Sequence, residues 1–387
     1  MKKVISILLV VCMLFANAII GFASNGNAEL QFNEDGKFRI MALADVQDDY
    51  PLEPAVIQFM NEALDYAKPD LVVFVGDNIT GSDPRAIGEM VGPVVERGIP
   101  FTFVFGNHDD DEGFERDDQL VEYQKYDGCL AYDPVPSLHG CATHNLPILS
   151  SDGSKIAFNL WMFDSGADYY DENGEWLGYD WVRQDQIEWY NSVRDEMTKK
   201  NNGELIPSIA FQHIIPQEPC EVVFYDSPIS LGEATINFAD GTSQSVIPNV
   251  TKYDGLVLEK SCPSYGNDGQ WNAMVNGGDV LGVVVGHDHV NNFIVDVDGV
   301  DLIQTPAVTY NSYYSNKYQG ARIIDIDEND PWNYETHILA SNELAQMEDS
   351  KLNEAGVRNE INYKFYYRFE KIFSAIYEFV VNVLRMF

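Results

Sequence analysis

Apolar residues in this chain gather in short unbroken runs, and several of those runs stop at a glycine or a polar cluster. The clearest are Phe38–Ala44, Leu71–Val75, Phe101–Phe105, Ile156–Phe163, Ile209–Phe211 and Val280–Val285. Runs this short and this uniformly apolar are expected of strands covered on both faces. Helix-like stretches, residues 54–67 and 83–97, separate the first three. Pro54 and Pro84 each suit a first helical turn, and Asp83 suits an N-cap. Strand, helix, strand, helix, strand predicts a parallel sheet with right-handed crossovers. An amphipathic helix is expected near Arg183–Lys200, and further strands at Phe293–Val297, Leu302–Gln304 and Ala321–Ile326. Residues 218–279 are rich in Gly, Pro and Asn, with short β-like pieces such as Ala234–Phe238, and read as an insertion.

The polar clusters sit where the strands would stop, which in an open α/β sheet is where ligands bind. Asp45 follows in ALADVQD, Asp77 and Asn78 in VFVGDN, Asn107 and His108 in FVFGNHD, His213 in AFQH, and His287 and His289 in VVVGHDH. Together they offer carboxylate, carboxamide and imidazole groups, the ligand set for a pair of divalent transition metals. The glycines allow tight turns at strand ends. The His-x-His pair can point both rings to one side of an extended backbone. Oxygen and nitrogen donors without thiolate suit Mn, Fe, Zn or Co, and the sequence does not choose among them.

With GDNITG, GNHDDD, FQHIIPQE and GHDHVNNF in place, the chain resembles the calcineurin-like metallophosphoesterase superfamily, closest to its purple-acid-phosphatase-like and Dcr2-like branch. LWMFDSG and GYDWVRQDQIEWY also look like that branch, and the likeness runs from about Phe38 to about Ile326. The resemblance implies an α/β fold, a layered αββα sandwich. It implies that Asp77 bridges two metals, that Asp45 and His289 bind the first, and that Asn107, His213 and His287 bind the second. It places His108 beside the metals, acting on the leaving group, with Asp109 orienting it by a hydrogen bond. The implied reaction is attack of a metal-bridging hydroxide on phosphorus, in line with the leaving oxygen. Two positions depart from the pattern. The superfamily's first motif is usually Asp-x-His, whereas this chain has Asp45-Val46-Gln47, so Gln47 is an uncertain ligand. Purple acid phosphatases carry a tyrosinate three residues after the bridging Asp, and this chain has Thr80 there, so the colour of an iron–tyrosinate pair is not expected.

Composition and termini change the picture in four ways. A formal charge of −37 repels nucleic acid and anionic surfaces at long range, which disfavours a polymeric nucleic-acid substrate. Residues 1–23 have the basic start, apolar stretch and small-residue end of a secretory signal peptide, so the chain is expected to be exported. For an exported chain, the even set Cys129, Cys141, Cys220 and Cys262 suggests disulfides, with free buried thiols the alternative. The remaining chain divides into a catalytic region, 24–345, and a tail, 346–387. Ile361, Phe365, Phe369, Ile372, Ile376, Phe379, Val383 and Phe387 follow helical spacing there, predicting an amphipathic helix that docks on the domain, on a membrane surface or on another chain. Other residues read as structural: His139 and His144 in loop packing, His337 as structural or exposed, Asp110 and Asp111 as solvated, Arg183 and Arg322 as surface pairs. The expected function is an exported dinuclear-metal phosphoric ester hydrolase acting on small phosphomonoesters. A phosphodiesterase or nucleotide hydrolase, and a non-catalytic metal-binding surface protein, remain alternatives.

Overall fold

A computed structural model describes residues 29–226, 235–237, 243–314 and 319–344. The expected signal peptide and the amphipathic tail lie outside the described residues, as do both ends of the β-like piece 234–238. The strands are β1 (Leu30–Gln31), β2 (Lys37–Leu43), β3 (Leu71–Val75), β4 (Phe101–Val104), β5 (His144–Leu149), β6 (Ile156–Met162), β7 (Asp168–Tyr170), β8 (Trp176–Tyr179), β9 (Ser208–Phe211), β10 (Phe224–Asp226), β11 (Thr235–Asn237), β12 (Ser243–Pro248), β13 (Val280–Val285), β14 (Ile294–Val297), β15 (Val300–Gln304), β16 (Gly320–Asp327) and β17 (Tyr334–Ala340). The helices are α1 (Pro54–Ala67), α2 (Arg85–Val95), α3 (Arg116–Tyr123), α4 (Gln184–Lys200), α5 (Gln217–Val223) and α6 (Gln270–Gly277).

Two sheets carry the molecule. A five-stranded sheet runs β17-β16-β2-β3-β4, and a seven-stranded sheet runs β1-β5-β6-β9-β13-β15-β14. In the first, β2, β3 and β4 are parallel, as the alternation of apolar runs and helices predicts. In the second, β6, β9, β13 and β15 are parallel. The strand residues alternate between two apolar layers. Ile40, Ala42, Val73 and Val75 point into a central core shared with Phe158, Leu160, Ile209, Phe211, Val284 and Ile303 from the other sheet. Met41, Leu43, Val72 and Phe74 point the other way, onto Val56, Phe59, Met60 and Met90 of α1 and α2. Ala210, Val283 and Val285 likewise meet Ile187 and Tyr190 of α4 and Trp271 and Met274 of α6. The order is therefore helices, sheet, sheet, helices: the αββα sandwich. A strand buried on both faces needs apolar residues at every position, which is why these runs show no alternation in the sequence.

Some expectations are corrected here. Cys129, Cys141, Cys220 and Cys262 form no disulfide in the structure, so the pairing expected of an exported chain is not seen. Burial pushes the Cys129 thiol up to about 12 and raises Cys220 well above its usual range, which favours the protonated thiol in both. Arg322 is not a surface pair. It is buried, donating from Nη2 to the carbonyls of Gln304 and Asn292, and burial lowers its pKa to about 9. Asp83 stands two residues before α2, outside the N-cap position that Pro84 occupies, and accepts from the backbone N–H of Arg85. His139 packs in a loop against Asp180, and His337 is exposed on β17, but His144 is not a loop residue: it opens β5, fully buried against Thr102 of β4. No helix among the described residues is long and apolar enough to cross a membrane.

Candidate metal centre

The C-terminal ends of β2, β3 and β4 deliver Asp45, Asp77 and Asn107 to one edge of the five-stranded sheet. Those of β9 and β13 deliver His213, His287 and His289 from the seven-stranded sheet. The two edges meet. His213 Nδ1 donates to the Val75 carbonyl at 2.9 Å, and the His287 backbone N–H lies 3.1 Å from both Asp45 carboxylate oxygens. A backbone this crowded is strained. Asp45, Gln47, Asp77 and His287 all have φ between 45° and 74°, a left-handed conformation that costs non-glycine residues about 1–3 kcal/mol each. At two places only glycine fits. A Cβ on Gly106 would lie 2.2 Å from the Asp77 nitrogen, and one on Gly76 would lie 2.5 Å from His213 Nδ1.

Two overlapping triads result. Asp77, His213 and His287 form one, and Asp45, Asp77 and His289 form the other, with each triad's ligand atoms within 4.8 Å of one another. Asp77 belongs to both, as a bridging carboxylate must. The imidazoles are set in the tautomer that ligation needs. His213 and His289 give their Nδ1 protons to the carbonyls of Val75 and Tyr313, which turns each Nε2 lone pair inward. His213 Nε2 then lies 3.3 Å from Asp77 Oδ2, and His289 Nε2 lies 3.5 Å from Asp45 Oδ1. Tyr313 also stacks flat on His289, centroids 4.1 Å apart, and Tyr179 meets His287 edge-on at 4.2 Å.

Metal-ligand groups fit this cluster by their unmet needs. His213 Nε2, His287 Nε2, Asn107 Oδ1 and Gln47 Oε1 are buried polar atoms with no hydrogen-bond partner. Orphans of this kind are rare in folded proteins, and several at one site call for an ion or water. The electrostatics agree. Burial lowers His287 far below the usual imidazole range and His289 to about 4, so both rings are neutral, the form in which an imidazole can bind a cation. Burial would also lower His213, but the charges of Asp77 and Asp45 push it up to about 9. Carboxylates that draw a proton onto a fully buried ring would equally draw a cation. Asp77 itself is held well below the usual carboxylate range because His213 and His108 outweigh its burial.

His108 stands at the rim, half-exposed. Burial lowers its pKa, but Asp77 and the bond to Asp111 outweigh it and raise it above 6.5. Its carboxylate partner is a correction. His108 Nδ1 pairs with Asp111 Oδ2 at 2.5 Å, not with Asp109. Asp109 is buried instead, accepting from the backbone N–H groups of Gly106, Asn78 and Ile79. It ties the turn after β3 to the turn after β4 and thereby places Asp77 beside His108, whose own N–H donates to Asp77 Oδ1 at 2.8 Å. Asp111, expected to be merely solvated, is a residue the sequence reading missed. Arg116 is another: it holds the same turn by donating to the Gly106 carbonyl and to Asp164. An arginine on a helix after an acidic loop carries no motif, so no local signal marked it.

This convergence of carboxylates, carboxamides and neutral imidazoles at the mouth of two facing sheets defines a metal-dependent phosphoesterase architecture. The comparisons agree: the calcineurin-like phosphoesterase family model matches residues 38–291, and the chain belongs to that family. It is similar to "Probable inactive purple acid phosphatase 14" of Arabidopsis thaliana, 28% identical over 324 residues, covering 74% of each chain. It is also similar to "Phosphatase DCR2" of Saccharomyces cerevisiae, 28% identical over 214 residues, which covers 49% of this chain and 36% of that protein. Among solved structures, a dimetal phosphatase from Danio rerio aligns over 78% of this chain and 99% of its own, at 14% identity and a TM-score of 0.44. The likeness to the purple-acid-phosphatase-like and Dcr2-like branch is thus borne out.

Proposed function

We propose that this chain is an exported hydrolase of small phosphomonoesters that uses two metal ions. The observation that carries the reading is the shared membership of Asp77 in two buried triads. Asp77 would bridge, Asp45 and His289 would complete one site, and His213, His287 and Asn107 the other. Gln47 Oε1, buried and unpartnered, would be an additional oxygen for the first site. Two divalent ions held there supply Lewis acidity for a phosphoryl oxygen and a water of lowered pKa. The chain's own residues do the rest. His108, whose affinity for a proton Asp77 and Asp111 raise against its burial, would supply a proton to the departing alkoxide. Asp111 fixes the ring that carries it. The orphaned polar atoms, each needing a partner, would hold the ions. The basic tail, with six Lys and Arg against four Asp and Glu over residues 351–387, is proposed as a peripheral membrane contact for the exported protein.

Purified protein should contain about two equivalents of Mn, Fe, Zn or Co and should hydrolyse a chromogenic phosphomonoester faster than its diester counterpart. Asn107→Ala and His108→Ala turning over as fast as the parent would overturn the assignment. Diester cleavage in preference to monoester would favour the phosphodiesterase or nucleotide hydrolase alternative. A second reading rests on Gln47, which stands where the family's usual motif places an imidazole, and on relatives whose names call them inactive. It is a metal-binding surface protein without turnover, and full metal content with no hydrolysis of any ester would establish it.

A further inference from the structure

One element beside the site has no part in the function proposed above: the hairpin β7–β8. Its ladder pairs Asp168 with Tyr179, Tyr169 with Gly178 and Tyr170 with Trp176. The inner face is fastened down. Tyr169 stacks on Tyr265 at 5.8 Å and meets Trp181 edge-on at 5.0 Å, while Gly178 approaches Tyr265 too closely for a side chain. On the outer face, Trp176 Nε1 and the Tyr170 hydroxyl donate to Asp168, and the ring faces are left open. Tyr170 and Trp176, neighbours across the ladder, are each 51% exposed, among the few large hydrophobic side chains left so open. Two rings on a rigid base, exposed to water, leave apolar surface that folding itself does not use.

The exposed rings connect to the candidate metal centre through Tyr179. Trp176 meets Tyr179 edge-on at 5.6 Å, and Tyr179 meets His287 at 4.2 Å. The rings therefore lead, through one shared tyrosine, to a candidate ligand imidazole.

We infer that the outer face of this hairpin is the leaving-group subsite, and that it selects phosphate monoesters whose alcohol carries a flat aromatic ring. The inference rests on the proposed phosphomonoesterase reading. Stacking between a planar ring and an exposed aromatic side chain needs no particular hydrogen bonds, and so accepts an aryl or a nucleoside group alike. The hairpin's charge narrows the choice further. Asp168, Asp171, Glu172 and Glu175 lie along it, and four carboxylates repel a leaving group that itself bears phosphate. A neutral ring is accepted and a nucleoside di- or triphosphate is not.

The test compares the metal-loaded full chain with its Tyr170→Ala/Trp176→Ala double variant on phenyl phosphate, adenosine 5′-monophosphate and glycerol 2-phosphate. The double variant should raise KM for a ring-bearing ester by about tenfold with kcat little changed, and should leave glycerol 2-phosphate untouched. Trp176→Phe should retain the preference. Whether phenyl phosphate or the nucleotide loses more identifies the ring the wall was built for. Equal losses on all three esters, or no loss on any, overturn the inference. Phenylphosphonate binding is followed separately by quenching of Trp176 fluorescence, read against Trp176→Phe. Quenching without hydrolysis by the parent keeps the wall and removes the hydrolase reading. Hydrolysis with neither quenching nor ring preference does the reverse, and absence of both removes both.

Discussion

The five-stranded sheet brings oxygen groups to the candidate metal centre and the seven-stranded sheet brings nitrogen groups. Asp45, Asp77 and Asn107 come from the first, and His213, His287 and His289 from the second. The two edges also differ in how they are braced. On the oxygen side, turns are tied to each other by a buried carboxylate, Asp109, which accepts three backbone N–H groups. On the nitrogen side, each fixed ring is tied to a carbonyl, of Val75 or of Tyr313. Neither edge alone presents a complete ligand set, and each triad draws from both. A site split this way exists only when the sheets are packed, so metal affinity should report on the packing of the central core.

The sharpest way to break the comparison is at the one group that joins both triads. Asp77→Ala should lower kcat/KM by a hundred- to thousandfold or more, on the scale of losing a single charge-stabilising group. It should also lower metal content on both sides, measured by elemental analysis. His213→Ala, which removes a ligand from one triad only, should leave close to one equivalent bound. Equal metal loss in the two variants would mean that Asp77 does not bridge.

Asp109→Ala tests the bracing of the oxygen side. It leaves three backbone N–H groups without their acceptor, at about 1–3 kcal/mol for each that water cannot reach. Denaturant unfolding should show a loss of roughly 3 kcal/mol or more, together with weakened metal binding although Asp109 touches no ligand position. Unchanged stability would remove it from that role.

His144 joins the two sheets away from the metals. Its Nδ1 donates to the Ala142 carbonyl at 2.6 Å and its Nε2 accepts from Thr102 Oγ of β4 at 2.9 Å. Burial lowers its pKa from 6.5 to about 4. The unfolded chain therefore takes up a proton that the folded chain refuses between these values. This contribution to stability is full above pH 6.5 and is lost as the pH falls towards 4, at up to about 1.4 kcal/mol per pH unit. His144→Gln should flatten the slope of unfolding free energy across that window. An unchanged slope would mean that other groups set it.

The smallest effect belongs to Asp111, whose exposed pairing is worth less than a buried one. Asp111→Asn should slow turnover about tenfold to a hundredfold, the range seen when a group orienting a functional histidine is lost. The loss should be larger for alkyl phosphates than for p-nitrophenyl phosphate, because only a poor leaving group needs the proton of His108. Losses equal for both would make Asp111 a structural residue only.

Legibility from the sequence follows the physics of each element. β3, β13 and α1 have the limits that their apolar patterns predict, because each is buried in a manner its own residues dictate. β5, β17 and the hairpin β7–β8 were not foreseen. His144–Leu149 contains a proline and polar residues, and Tyr334–Ala340 is a half-exposed edge strand whose polar face hides the pattern. The ligand types were legible because strand ends, glycines and donor groups coincide in order. The partner of His108 was not, because a carboxylate one residue away and one three residues away look alike until the turn is folded. The lack of disulfides was equally hidden, since pairing depends on separations in space and the chain records only separations in order.

What the sequence determined by itself is local: which runs must be buried on both faces, where each strand stops, and which donors stand there. A residue's polarity and its neighbours' are sufficient to set those. Tertiary structure alone decided that carboxylates and imidazoles come from opposite sheets, that Asp77 is shared, that Asp109 braces turns while Asp111 holds His108, and that Tyr179 lies against His287. Each of these is a contact between residues that are tens or hundreds of positions apart, or across a turn whose direction is set by such contacts. No local pattern encodes them, because the energy that selects them is the packing of two sheets against one core.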